Sequence, residues 1–156
     1  MADPETQGKI VWVLATSRPD LVTVDLKRPG RMDVKFALMP TATPAESAKL
    51  IQALMKNADL NPGDLSDLHA IMPNWLTPGA ADAIAKDVYT DLADVSLTQL
   101  DSTIIKEALK KRLESYHAPI DAEQMRFQIQ LAVNEASRLD LIPEAFRTFK
   151  GTMAPS

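Results

Sequence analysis

The sequence predicts a mainly α chain in which two strands joined by a loop run into a bundle of about four helices and a short terminal one. Three observations carry this. Ile10-Val11-Trp12-Val13-Leu14-Ala15 is short, rich in β-branched residues and apolar on both faces, the pattern of a strand inside a parallel sheet. Val34-Lys35-Phe36-Ala37-Leu38 alternates and stops at Pro40, which predicts a second strand. From Thr41 onward the chain is punctuated by helix-capping signals, each followed by apolar residues three and four apart.

The first of these signals is Thr43-Pro44-Ala45-Glu46, a cap hydroxyl with proline at the first helical position and glutamate at the third. It predicts a helix to about Asn57 with Ala48, Ile51, Leu54 and Met55 as its apolar stripe. Asn61-Pro62-Gly63-Asp64 predicts a short helix ending near Met72 and Pro73, and Thr77-Pro78 a third helix to about Leu92. Ser96 to Gln99 forms a second capping box. Behind it Leu100, Ile104 and Ala108 make one row and Ile105, Leu109 and Leu113 the next, to an end near Ser115. Asp121 caps the last long helix, with Gln124 closing the box and Ile120 placed to staple onto Met125. Its apolar positions, Met125, Ile129, Ala132, Ala136 and Leu139, extend the helix to about Asp140. Pro143 opens a final short helix that Gly151 stops, and nothing in Thr152–Ser156 demands order. No repeat and no low-complexity segment stands out.

At 156 residues and 46% apolar content the chain can bury a core. Zero cysteines exclude disulfides and thiolate metal sites, and two isolated histidines, His69 and His117, have no partners at ligand spacing. No metal site is expected. The longest apolar run is Ile10 to Ala15, far short of the roughly 18 residues of a membrane span, and no secretion signal opens the chain. A cytoplasmic protein is the expectation. The net charge of −4 divides unevenly: residues 1 to 40 hold six Lys/Arg against five Asp/Glu, the remainder eleven against sixteen. Neither part has the basic stripe of a nucleic-acid surface.

The most specific stretch is Ala15 to Asp33, A-T-S-R-P-D-L-V-T-V-D-L-K-R-P-G-R-M-D, in which Arg28 and Arg31 bracket Pro29-Gly30. It resembles the second region of homology of AAA+ ATPases, commonly A-T-N-R-P-D followed by a short helix and L-x-R-P-G-R-F-D. The resemblance implies that the chain joins the end of an α/β AAA+ core to its helical lid. Ser17 would then stand at the sensor 1 position, usually asparagine, with Thr16 the neighbouring candidate. A serine hydroxyl still hydrogen-bonds water or phosphate, but reaches less far. Arg28 and Arg31 match the arginine fingers that reach the nucleotide of the next subunit in a ring, a role suited to a permanently charged, planar, bidentate group. Met32 replaces the usual phenylalanine and Asp33 matches the closing aspartate. Leu76-Thr77-Pro78-Gly79-Ala80-Ala81-Asp82 partly resembles the lid segment G-x-S/T-G-A-D, which places Gly79 and Ala80 where a helix start approaches adenine and ribose; Pro78 departs from it. No sensor 2 arginine is identifiable.

This resemblance covers residues 9 to 95 and divides the chain into 1–40 (core remnant), 41–95 (helical lid), 96–150 (additional helical segment) and 151–156 (tail). It also implies a hexameric ring that uses ATP with Mg²⁺ to remodel a protein partner. The sequence contains no G-x-x-x-x-G-K-[ST] and no apolar run followed by D-E, so the phosphate cradle and the magnesium ligand are missing. The chain alone is expected to bind no cofactor and not to hydrolyse ATP. A start at Met1 so soon before the first strand suggests a piece cut from a longer chain. In the family sheet a third strand lies between the two predicted here, so residues 9–40 are expected to rearrange, to pair with another copy, or to move.

Plainer readings compete. Arg-Pro-Gly-Arg suits a solvated turn, Ser17 the cap of a strand end, Gly79 and Ala80 an ordinary helix start. Trp12 and Trp75 suit packing, and Asp91 and Asp94 solvated helix faces. At the level of function the alternatives are a non-catalytic helical interaction module built on Gln99–Ser115 and Asp121–Asp140, and a clamp-loader-like or helicase-loader ATPase acting on DNA.

Overall fold

A computed structural model describes residues 11–56, 60, 63, 65–95 and 101–151. The chain falls into two compact units, one ending at Asp33 and one starting at Val34. Ile10, Asn57, Asn61, Pro62, Asp64, the Ser96–Gln99 box, Leu100 and the 152–156 tail lie outside the described residues, and so do the expectations that rest on them.

Both predicted strands are absent: no β-strand exists among the described residues. In the first unit Val11–Ala15 is irregular, and Val11 and Val13 are 89% and 88% exposed. The apolar pattern is that of a strand flanked on both sides, and the described part of this unit supplies no neighbour for a ladder. A 3-10 turn at Pro19–Leu21 and the single-turn helix α1 (Val24–Lys27) follow. None of residues 11–33 is buried.

The second unit opens with an extended run that is pinned rather than paired. The Lys35 N–H donates to Ser137 Oγ at 2.8 Å, the Ser137 N–H donates to the Lys35 carbonyl at 3.1 Å, and Lys35 Nζ meets Glu135 at 3.3 Å. The alternation seen in the sequence survives this change. Val34, Phe36 and Leu38 are exposed, while Ala37 and Met39 pack inward.

Helix α2 (Pro44–Leu54) starts as its capping signal predicts: Thr43 Oγ1 accepts from the Glu46 N–H at 3.2 Å. The Glu46 carboxylate reaches one residue further back than a capping box requires, to the Ala42 N–H at 2.7 Å. A 3-10 turn at Ser66–Leu68 leads to α3 (Pro78–Asp91), capped by Thr77, and α4 (Ser102–Glu114), capped by Asp101. Ile51 and Met55 at the end of α2, Leu65, Leu68 and Leu76 from the connection, Ile84 and Val88 from α3, and Ile105, Leu109 and Leu113 from α4 close one core. Each such side chain contributes roughly 1.5–3 kcal/mol on leaving water. Asp91 is exposed, as expected of a solvated face, and also bonds Arg112, tying α3 to α4; its partner Nε lies 2.6 Å away.

Helix α5 (Ala122–Glu135) is capped by Asp121, whose carboxylate accepts from the Gln124 N–H at 2.7 Å. It ends about a turn earlier than the spacing predicts. Ala136 turns extended, Ser137 bonds Lys35, and Leu139 enters a 3-10 turn (Leu139–Leu141) before α6 (Glu144–Arg147). Ile129, Val133, Ile142 and Phe146 form a second core, with Trp75 and Phe149 packed against it. Arg126 lies 5.3 Å above the Phe149 ring, a cation–π distance.

Between these cores runs a line of hydrogen bonds. Ser47, fully buried, gives its proton to the Pro73 carbonyl at 2.8 Å. Its 2.7 Å contact with Thr41 Oγ1 must then be donated by threonine, since a hydroxyl has one proton. Thr41 Oγ1 in turn accepts from the Leu76 N–H at 2.9 Å, and the Thr41 N–H donates to the Leu76 carbonyl at 3.0 Å. Ser47→Ala removes the middle of this chain and should cost about 1–3 kcal/mol, read as a lower urea midpoint at unchanged slope. Asp91 is held below the usual carboxylate range by its hydrogen bond to Arg112, and Asp67 likewise by Lys106. A folded value below the unfolded one adds stability that is complete above about pH 4 and is lost as pH falls through the lowered value. The thermal midpoint should therefore hold from pH 7 to 5 and fall in more acid buffer, less steeply in Arg112→Ala.

Candidate functional site: the arginine turn

Local chemistry shapes the first unit. Thr16 Oγ1 accepts from the Arg18 N–H at 3.0 Å, and the Arg18 guanidinium forks onto the Asp20 carboxylate through Nε at 2.9 Å and Nη2 at 2.7 Å. That hydrogen bond keeps Asp20 below, and Arg18 above, their ordinary pKa values. The backbone closes behind the fork, Leu21 N–H on the Arg18 carbonyl at 3.1 Å and Leu26 N–H on the Thr23 carbonyl at 3.0 Å.

Arg28 leaves α1 in extended geometry, and the Arg31 N–H bonds back to its carbonyl at 3.1 Å. Proline second and glycine third, with Gly30 at φ +82, are what a type II turn needs, because its third residue must be left-handed. The two arginines are the first and fourth residues of that turn, which holds their α-carbons within about 7 Å. Asp25 serves both: its carboxylate meets Arg28 Nη2 at 3.3 Å, and its carbonyl accepts from Arg31 Nη1 at 3.4 Å. Asp33 Oδ1 accepts from the Gly30 N–H at 3.2 Å and closes the far side.

The result is a solvent-facing pair of fixed cations, with the Arg28 side chain 67% exposed. Such a pair can take a phosphate or carboxylate by bidentate hydrogen bonds. Ser17 is exposed on the same unit, and the Thr16 hydroxyl is engaged with the Arg18 backbone. Asp25 is a member of this site that the sequence reading missed; its signal is its place three residues before Arg28, one helical turn away.

Gly79 and Ala80 lie in the second unit, in the first turn of α3. The Ala80 N–H donates to Thr77 Oγ1 at 3.3 Å. A Cβ built at Gly79 meets nothing within 4 Å, and its φ is not left-handed, so the fold does not itself require glycine. The one positive φ at a non-glycine residue among the described residues is at Trp75 (φ 56), just before this helix. Nearby lies a cleft of about 420 Å³ lined by Trp75, Thr77, Tyr116, Pro119, Ile120 and Met125. Gly79 and Ala80 are outside its lining, and burial raises the Tyr116 phenol above its usual pKa.

Over 118 residues the chain is 33% identical to the peroxisomal ATPase PEX6 of Pichia angusta. That stretch is 75% of this chain and 10% of PEX6, so the chain spans about a tenth of the relative it matches. No sequence-family profile matches the chain, and no solved structure does. Wherever it starts, a stretch that long includes residues 40 to 117, so the likeness reaches α2, α3 and α4 and does not rest on the arginine turn alone. Among the described residues no helix is long and apolar enough to cross a membrane, and no group of three or more His, Asp or Glu is placed to hold a metal.

Two glycine substitutions separate backbone need from open space. Gly30→Ala forces a left-handed alanine, costs about 1 kcal/mol in the turn, and should speed amide exchange at Arg31; unchanged protection there would show the turn is not held by glycine. Gly79→Ala should be neutral or stabilising by up to about 1 kcal/mol, because alanine is the better helix residue and has room.

Proposed function

We propose that this chain is a portion of an AAA+ ATPase in which the arginine turn acts in trans on a neighbouring subunit and the helices from Pro44 onward form the lid. The observation that carries the reading is the pair Arg28 and Arg31 at the corners of one Pro-Gly turn, both anchored to Asp25 and open to solvent. The likeness to a peroxisomal ATPase supports it.

The residues present fit one side of a nucleotide site and not the other. Two guanidiniums can stabilise charge on phosphate oxygens. The phosphate loop and acidic magnesium ligands are missing from the sequence, so ATP with Mg²⁺ would be held by other parts of the parent protein. Ser17 and Thr16 would serve as the sensor, and Gly79 and Ala80 as the lid's approach to the base. The parent would assemble as a hexameric ring and act on a protein partner.

A second reading, a helical interaction module without catalysis, is favoured by the self-contained cores of the second unit. Turnover in the full-length parent separates the two. Arg31→Ala there should lower ATP turnover by about 10³-fold or more while nucleotide affinity stays within a few fold. Unchanged turnover would remove the arginine-finger role and leave the interaction module.

A further inference from the structure

Residues 17–27 and 137–147 follow the same backbone course, and only the first stretch leads into an arginine pair. Ser17, Arg18, Asp20 and Leu21 recur as Ser137, Arg138, Asp140 and Leu141. Arg18 sits at φ −126, ψ 75 and Arg138 at φ −114, ψ 77; Val22 at −70, 125 and Ile142 at −80, 129; Thr23 at −58, 144 and Pro143 at −52, 140. In each, the arginine forks onto the aspartate two residues on, and a three-residue 3-10 turn leads into a four-residue helix. Thr148 and Gly151 stand where the first stretch has Arg28 and Arg31, and Ala145 stands where it has Asp25. Alanine at that place builds the same turn and helix. The fold therefore has no need of the Asp25 carboxylate, which accompanies the arginines.

The three arginines of the first unit are held in three different ways. Arg18 spends both prongs of its fork on Asp20, at 2.9 and 2.7 Å, a closed bidentate pair. Among the described residues Arg31 meets only a neutral acceptor, the Asp25 carbonyl at 3.4 Å, which orients the guanidinium and leaves its charge uncompensated. Arg28 meets the Asp25 carboxylate through Nη2 at 3.3 Å, with the two side chains 67% and 65% exposed. That is longer than the roughly 2.7–2.9 Å of a strong charge-assisted hydrogen bond, and an ion pair so exposed is easily exchanged. A phosphate group brings more charge and more acceptor oxygens than one carboxylate.

We propose that Asp25 regulates the arginine pair: its carboxylate holds Arg28 until a phosphate group takes its place, while its carbonyl keeps Arg31 in position throughout. Arg31 meets the phosphate first, and Arg28 joins by exchanging one anion for another. The inference rests on the reading of the pair as phosphate ligands and makes Asp25 a positioning residue.

The test uses the full chain with isotope-labelled arginine, inorganic pyrophosphate as the probe, and about 0.15 M salt, in which charges more than about 8 Å apart are screened. Asp25→Asn removes the charge of the carboxylate and keeps the backbone carbonyl. Before pyrophosphate is added it should move the Arg28 guanidinium signal and leave that of Arg31 in place. On titration it should bind pyrophosphate about twofold to fivefold more tightly than the unaltered chain, the span that an exposed ion pair is worth. Asp25→Glu, which keeps the charge, should bind like the unaltered chain. Asp33→Asn controls for charge alone, because Asp33 bonds the Gly30 N–H and no arginine; it should tighten binding less than Asp25→Asn. Equal gains from Asp25→Asn and Asp33→Asn, or none from the former, overturn the proposal and leave the arginine-finger reading standing. Absence of any shift at Arg28 and Arg31 in every one of these proteins overturns it too, and the arginine-finger reading is then decided separately by turnover of Arg31→Ala in the parent.

Discussion

The second unit depends on the directed chain of hydrogen bonds from the Leu76 amide through Thr41 and Ser47 to the Pro73 carbonyl. Three separate pieces meet there: the extended entry segment, the second turn of α2, and the connection that delivers Leu76 to the first core. A buried hydroxyl is tolerable only when its proton and lone pairs are used, and here each proton has one taker. That leaves the chain a single polarity and the three segments a single register. Burial of Ile51 and Leu76 supplies the larger energy, but apolar contact is not directional; the hydroxyl chain selects which of several similar packings is native.

The two units show the same sequence chemistry under different circumstances. Extended apolar segments occur in both. Residues 34–39 are saved from being a bare edge because Lys35 finds Ser137 and two alternate residues, Ala37 and Met39, find a core. Val11–Leu14 has no comparable anchor among the described residues, and its side chains stand in water. Patches of that kind on a protein surface mark contact with something else.

Three helix starts were legible because a cap is a local event: Thr43, Thr77 and Asp121 each satisfy an amide three residues on, whatever the rest of the chain does; that of α4 was not, since Asp101 caps it and not Ser96. Strands were not, since Ile10–Ala15 has the composition of a sheet interior and a sheet is made by neighbours that sequence proximity does not supply. The end of α5 was misjudged for a related reason. Ala136 and Leu139 keep helical spacing, but Ser137 is claimed by Lys35, about a hundred residues away in the chain, which no local pattern announces. At the site, the Arg-Pro-Gly-Arg turn was visible as a motif, while Asp25, the group that orders both arginines, has no motif of its own. The likeness of residues 17–27 to 137–147 escaped notice because it is short: S-R-x-D-L is constant, and the rest of it is three exchanges, valine for isoleucine, leucine for phenylalanine and lysine for arginine.

The tryptophans are shared out one to each unit, and their surroundings are opposite. Trp12 is 70% exposed, whereas Trp75 meets Phe149 edge-on at 6.4 Å beside the second core. Indole emission shifts with the polarity around the ring, so the intrinsic fluorescence of the chain is a sum of a red, quencher-accessible component and a bluer one from the partly buried Trp75. With no label added, the colour of the light separates an event around Trp12 in the first unit from one at the helical cleft that Trp75 lines.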